Sequence, residues 1–315
     1  MPTSRTRKSK RRAKIAARAR RRERAAAYPS WFDPSIRNVL RQRRTLLFAK
    51  RPRELEQATA ALLGEQLHRV CNTHTAAPHF DSWFTELVTT VVACASDPAA
   101  QTDPDQQSTW WLLHGLLAIA PVGFLIDPVQ DLLDATTGHC EPPWLPLTCR
   151  VQATGDIQRL SITDGTRTGF IAGYEYPGGA DRHVYLFDLA VTNPNEGLQQ
   201  GISNFTAWPD QYAAEPAELL RADAFDTVEA ATQAWRASVG PAATNSQPTA
   251  LTDPSDLAFL PYCCDPTAVP GTESRNRLDN WFRAARRIEE LIITLRRRGT
   301  PLPPLPGLHP ELIGI

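Results

Sequence analysis

The segment RTGFIAGYEYPGGADRHVYLFDLAV, residues 167–191, contains two runs rich in apolar and aromatic side chains that fit a period of two, on either side of PGGAD. A period of two is typical of strands, and Pro and Gly between two such runs are typical of a turn. Two preceding runs, TCRVQA at 148–153 and DIQRLSIT at 156–163, have the same period. The sequence TG separates these two runs, and Asp164 and Gly165 follow as a dipeptide favoured in two-residue hairpin turns. The sequence therefore predicts a central four-stranded antiparallel meander.

Three polar residues of these strands, Glu175, His183 and Asp188, are the candidate catalytic groups of a hydrolase-type enzyme, because burial among apolar neighbours shifts a carboxyl pKa. If Tyr176 pairs with His183, both carboxylates lie on one face of the sheet. The two carboxylates are then four residues apart along the strands. At about 3.4 Å per residue this is roughly 13 Å, beyond the separation that two-carboxylate glycoside hydrolysis uses. A sheet face exposed to solvent is the alternative that we favour.

Helical periodicity dominates the chain before the meander. Asp33 as N-cap and Pro34 at the first helical position predict the start of the first helix. Further helices are predicted at 52–71, at 80–95, within 109–126 and at 127–138.

The apolar run TWWLLHGLLAIAPVGFLI, residues 109–126, is long enough for a short membrane span. Asp105 and Asp127 flank it, no basic residue lies near either end to set an orientation, and Pro121 would end a helix inside it. We therefore predict a buried core helix here and no membrane span.

Two helices are predicted after the meander. Asp226 and Glu229 predict a capping box for a helix that ends at Gly240. A long amphipathic helix is predicted from about Glu273 to Arg298, and its apolar face needs a partner surface, most simply the N-terminal helices.

These elements predict the α+β class, with a helical N-terminal region, a central four-stranded antiparallel meander and a C-terminal amphipathic helix. The expected organisation is a disordered or helical basic arm at 1–27, a helical region at 28–138, an antiparallel sheet with helices at 148–240, a linker at 241–256, a C-terminal helical region at 257–299 that packs on the body, and a Pro-rich tail at 300–315.

Positive charge is concentrated at the N-terminus. Residues 5–24 contain twelve Lys and Arg and one acidic residue, so the arm carries +11 and the rest of this neutral chain carries −11. Such an arm neutralises phosphates, and because its cations are interleaved with Ala rather than with aromatic residues or Gly we expect no sequence preference. A solvated arm that contacts its own acidic body is the alternative. The predicted polyanion contacts are Arg11, Arg12, Lys14, Arg18, Arg20, Arg21, Arg22 and Arg24.

Four residues of metal-ligand type, His68, Cys71, His74 and His79, lie within twelve positions. However, His68 and Cys71 rotate away from the apolar face of their helix, and the chain has no second cluster with the short spacings of a zinc module. We name these residues as a candidate metal site but expect that no metal or cofactor binds.

The C-terminal stretch RRRGTPLPPLPGLHP, residues 296–310, contains a basic residue followed by a P-x-x-P motif, which is typical of segments that dock in aromatic grooves. Its leucines recur every three residues and line one edge of a polyproline II helix, so the tail can equally pack on its own domain.

Function is constrained by absent motifs and by cysteine usage. The sequence has no nucleophile elbow, no phosphate-binding loop and no H-E-x-x-H motif. Its six cysteines, without a secretory signal, favour reduced thiols in a cytoplasm. Thirty Arg against four Lys suggest a GC-rich bacterial genome.

We expect a cytoplasmic, non-enzymatic protein whose basic arm contacts nucleic acid or another polyanion. A hydrolase-type enzyme and an interaction module that uses the Pro-rich tail are the alternatives.

Overall fold

The computed structural model describes residues 29–71, 80–96, 104–120, 129, 131–133, 142–163, 165–191, 217–251, 257 and 275–300. The basic arm, the Pro-rich tail beyond residue 300 and most of the helix predicted at 127–138 lie outside these residues.

The N-terminal half of the described chain is helical. The predicted second and third helices are confirmed with their bounds. The N-cap of the first helix is Trp31, without a side-chain cap, so the predicted cap at Asp33 is wrong. Asp33 instead lies in the first turn, where a carboxylate complements the helix dipole. The helices are α1 (Phe32–Gln42), which continues into a 3-10 turn (Arg43–Phe48), α2 (Pro52–Cys71), α3 (Phe80–Ala95) and α4 (Pro104–Ile119).

Helix α4 lies inside the molecule, and its residues from Ser108 to Ile119 are all buried. It approaches α2 closely because Gly115 has no side chain; a Cβ there would overlap the side chain of Thr59. The prediction of a buried helix is therefore confirmed as far as Ile119. In the part of the chain that the structure describes, no helix is both long and apolar enough to cross a membrane.

A five-stranded antiparallel sheet follows, in the order β4-β3-β2-β1-β5. This confirms the α+β class, but the four-strand count is wrong. Only residues 152 and 153 of the first predicted strand are strand, and they run into the second predicted strand because Gly155 adopts a φ of +76° at an irregularity inside β1 rather than ending it. Residues 148–150 lie in a 3-10 helix (Leu145–Arg150), so the prediction of a strand there is wrong. The strands are β1 (Gln152–Ser161), β2 (Arg167–Tyr176), β3 (Ala180–Val191), β4 (Ala217–Phe225) and β5 (Thr249–Ala250).

The turn between β1 and β2 is longer than predicted. The Ile162 amide donates to the Arg167 carbonyl at 3.3 Å, which encloses a four-residue loop in which Gly165 has a φ of +74°. The prediction of a two-residue turn is therefore wrong, although Gly165 does adopt the left-handed conformation that hairpin loops need.

The pairing of β2 with β3 also differs from the prediction. Tyr174, rather than Tyr176, lies opposite His183, and Asp188 lies opposite Gly169. The turn at Pro177–Gly179 and the adjacent irregularity in pairing set this register. A shift by two residues keeps every side chain on its predicted face.

Helix α5 (Val228–Val239) follows β4, and α6 (Arg275–Arg297) ends the described chain. The predicted capping box of α5 is wrong: Thr227 is the N-cap and accepts a hydrogen bond from the Ala230 amide at 3.1 Å. The Asp226 carboxylate instead pairs with Arg53 of α2, a hydrogen bond that lowers the pKa of Asp226.

The sheet has two covered faces. On one, here called the core face, α2 and α6 pack against the strands in the main hydrophobic core, which also contains α4. The prediction that α6 packs on the N-terminal helices is confirmed. The other, here called the α5 face, carries a smaller core around Trp235 of α5, Leu186 and Ile171. The domain boundaries stay a prediction.

Candidate functional site

A buried ion pair joins α2 to α6 under the core face. Arg287 donates through Nη2 to the Glu56 carboxylate, and the two side chains are 0% and 2% exposed. Tyr185 of β3 donates its hydroxyl to the other Glu56 oxygen at 2.9 Å, and Tyr174 of β2 donates to the Arg287 carbonyl at 2.6 Å. The guanidinium carbon lies 5.8 and 6.0 Å from the centroids of the Tyr174 and Tyr185 rings. One charged pair therefore ties two helices to two strands.

His183 and Tyr176 extend this core-face cluster toward the turn between β2 and β3. The His183 ring centroid lies 6.0 Å from that of Tyr174 and 5.6 Å from that of Tyr176. Burial lowers the pKa of His183 and raises that of Tyr176. Because Nδ1 of His183 is 2.9 Å from the Asp181 carbonyl, which only accepts, the neutral imidazole carries its proton on Nδ1.

The core-face cluster is not fully hydrogen-bonded. Among the described residues, Nε and Nη1 of Arg287, Oη of Tyr176 and Nε2 of His183 have no hydrogen-bond partner. Each buried group of this kind costs about 1–3 kcal/mol. His183 is only 3% exposed, so the cluster is enclosed by protein on the core face.

Sequence reasoning missed Glu56 and Arg287, although a signal was present. Glu56 is four and seven residues before Ala60 and Leu63, and Arg287 is four residues before Leu291. Each charge therefore occupies an apolar helix stripe. Two opposite charges on the apolar stripes of two helices indicate a buried ion pair.

Asp188 lies on the α5 face and is buried. Arg167 donates to both of its carboxylate oxygens at 2.8 Å, Trp235 donates Nε1–H at 3.1 Å and Ser238 donates its hydroxyl at 3.0 Å. Gly169 makes room for the indole, since a Cβ there would lie 2.9 Å from its Nε1. The prediction of a solvent-exposed sheet face is therefore wrong at Asp188. The carboxylate instead ties β2 and β3 to α5.

Glu175 lies on the same face but near the far end of β2, where its carboxylate accepts a hydrogen bond from Arg182 at 2.9 Å. Because Asp188 is opposite Gly169, six residues separate the two positions, which is about 20 Å along the strands. His183 lies on the core face. The structure therefore does not bring the three candidate catalytic residues together.

The candidate metal ligands lie mostly outside the described residues. His68 is half-buried near the end of α2, the position of the Cys71 side chain is not described, and His74 and His79 fall in residues 72–79. Within the described ranges, no group of three or more His, Cys, Asp or Glu residues is arranged to hold a metal. The expectation that no metal binds at these residues stays a prediction.

Four exposed residues between positions 37 and 50, here called the α1 surface, follow the basic arm along the chain: Arg37, Arg41, Phe48 and Lys50. All four side chains are exposed, and Arg37 and Arg41 share one helix face because they are four residues apart. No ion pair to these three cations occurs among the described residues, whereas neighbouring Arg44 pairs with Asp105 at 2.6 Å. The α1 surface is therefore able to attract anions.

Comparisons with known proteins give no match: no family model, no curated protein and no solved structure is similar to this chain at a significant level. The fold is of the α+β class, with a five-stranded antiparallel sheet among the residues that the structure describes.

Proposed function

We propose that this is a non-enzymatic protein whose basic arm, residues 1–27, contacts nucleic acid or another polyanion without sequence preference. The observation that carries this proposal is the density of charge in residues 5–24, with twelve Lys and Arg and one acidic residue. Contacts between these cations and phosphates release counterions, so the affinity falls steeply as salt rises. The arm offers no aromatic or amide groups for base readout.

The α1 surface supports the proposal. Helix α1 begins at Phe32, only a few residues after the arm, and presents Arg37 and Arg41 to solvent. A polyanion held by the arm is therefore close to further cations on the folded body. This continuity favours a binding role over an arm that only contacts the acidic residues of its own chain.

The environment of the candidate catalytic residues also favours binding over hydrolysis. The Asp188 carboxylate already accepts four hydrogen bonds, and His183 is buried on the opposite face of the sheet. A general base has to reach the proton that it removes, and neither group is accessible to a substrate.

The proposal is tested by retention of the full-length protein on DNA and on RNA at increasing salt. Deletion of residues 1–27, or Gln at all eight predicted arm contacts in the full-length chain, should abolish retention at moderate salt. Retention should not depend on base sequence. Equal retention by the wild-type protein and the altered proteins would overturn the proposal.

A matched pair of triple variants separates the arm from overall charge. Gln at residues 20–22 should reduce the slope of log affinity against log salt by up to about 2.7 on duplex DNA, at about 0.9 per phosphate contact. Gln at Arg150, Arg182 and Arg297, all exposed on the body, removes an equal number of positive charges and should leave the slope unchanged. An equal reduction by both triple variants would contradict a specific role for the arm.

A further inference from the structure

Phe48 is the large hydrophobic side chain that stands out on the surface of the described chain, with 81% of its area exposed. It ends the 3-10 turn Arg43–Phe48, directly after buried Leu46 and half-buried Leu47. The Ala49 amide donates to the Leu46 carbonyl at 3.0 Å and closes this turn. The ring is therefore carried by a backbone that its neighbours anchor in the core.

Exposed cations surround Phe48 in the chain. Lys50 is two residues later, and Arg41 is seven residues earlier. Gln42 and Arg43 keep right-handed helical backbone angles, so α1 runs into the 3-10 turn without a break. At the rises of these two helix types, Arg37 and Phe48 are at most about 20 Å apart along the axis. Exposed cations that can follow a phosphate backbone and an exposed aromatic ring on which a base can stack are the two kinds of group that bind single-stranded nucleic acid.

We infer that Phe48 is a stacking platform for the bases of single-stranded nucleic acid, with Arg37, Arg41 and Lys50 on the backbone phosphates. This inference rests on the proposed function and names its ligand class. The bases of a duplex are already stacked on one another, whereas an unpaired base has a free face that an aromatic ring can cover. The phosphates provide attraction, and the ring provides the preference for single strands.

Other occupants fit the α1 surface less well. A phenylalanine offers at most about 250 Å² of contact area, whereas a stable protein interface buries about 800 Å² on each partner. A membrane-surface helix needs a continuous apolar face, and α1 presents Arg37 and Arg41 to solvent. The charge complementarity of the three cations favours a phosphate backbone.

The test compares Phe48→Ala with the wild-type full-length protein on a labelled single-stranded DNA oligomer and on the duplex of the same sequence, by fluorescence anisotropy at one salt concentration. The loss of one stacked base should weaken single-strand binding by about 5- to 150-fold. Duplex binding should change less than about twofold, and the salt slope should stay the same because no charge is removed. Phe48→Trp should retain single-strand affinity.

The controls separate this inference from the proposed function. Thr45→Ala alters the exposed residue one 3-10 turn before Phe48 and should leave both affinities unchanged. Thermal unfolding checks that Phe48→Ala stays folded, as its exposure predicts. Wild-type binding that Phe48→Ala does not weaken, or weakens equally for both DNA forms, would overturn the stacking role and leave the polyanion proposal intact. Failure of the wild-type protein to bind either DNA would remove both.

Discussion

The two faces of the sheet each bury a carboxylate paired with an arginine, but in different surroundings. On the core face, Glu56 and Arg287 are both fully enclosed, and two guanidinium nitrogens of Arg287 have no hydrogen-bond partner among the described residues. On the α5 face, Asp188 is enclosed, whereas its partner Arg167 keeps 23% of its side chain exposed. The Asp188 carboxylate accepts hydrogen bonds from three side chains.

This difference shows how the surroundings determine what a buried ion pair contributes to stability. Removing two charges from water costs several kcal/mol per ion, and only complete hydrogen bonding offsets that cost. Arg167 keeps part of its hydration, and Asp188 is fully hydrogen-bonded. We therefore expect the α5-face pair to tolerate loss of its carboxylate charge better than the core-face pair.

The largest effect is expected for Glu56→Gln. The amide keeps the shape of the side chain and can still accept from Tyr185, but Arg287 loses its counter-ion inside the core. Breaking a buried pair in this way should lower the free energy of unfolding by about 3–5 kcal/mol. Urea unfolding followed by circular dichroism measures this loss.

A double variant checks the cause of that loss. Glu56→Leu combined with Arg287→Met replaces both charges with apolar groups and removes the unpartnered guanidinium nitrogens. We expect most of the stability to return, since such replacements are often neutral or stabilising. If the double variant were as unstable as Glu56→Gln, shape rather than charge would dominate at this position.

A smaller effect is expected for Asp188→Asn. The amide loses the charge-assisted bonds from Arg167, but the guanidinium can turn toward the solvent that it already contacts. The free energy of unfolding should fall by about 1–3 kcal/mol. Glu175→Gln is the matched control: its partner Arg182 is exposed, so a change of about 0–1 kcal/mol is expected. A loss at Asp188 as large as the loss at Glu56 would remove the distinction between the two faces.

The elements predicted correctly from sequence have a strong local signal. Helices α2, α3 and α6 repeat their apolar residues at the helical period, and strands β2 and β3 are short apolar runs that meet at the turn residues PGGAD. Strand β4 was missed because its sequence AELLRADAF is rich in helix-forming residues and becomes a strand only by pairing with β3. The register of β2 and β3 was wrong because the geometry of the turn sets it.

The sites were harder to predict because their partners are distant in sequence. The polar character of Asp188 was recognised, but Trp235 and Ser238, which hold it, come from α5 about fifty residues later. Similarly, Glu56 and Arg287 are 231 residues apart. The charge pattern within one helix identifies a buried charge, whereas the identity of its partner depends on how the helices pack.

The smallest expected effect is on the pH dependence of stability, and it concerns His183 on the core face. Burial lowers the pKa of this histidine in the folded chain, while Glu56, Arg287 and Asp181 act on it electrostatically. As pH falls below about 6.5, the unfolded chain therefore takes up a proton that the folded chain resists, and the free energy of unfolding decreases. One proton accounts for at most about 1.4 kcal/mol per pH unit. His183→Gln should reduce this slope between pH 7 and pH 5 in urea unfolding, because the core face then no longer excludes a proton. An unchanged slope would mean that the buried imidazole accepts its proton without cost, and the core face would then be less strongly desolvated than its contacts indicate.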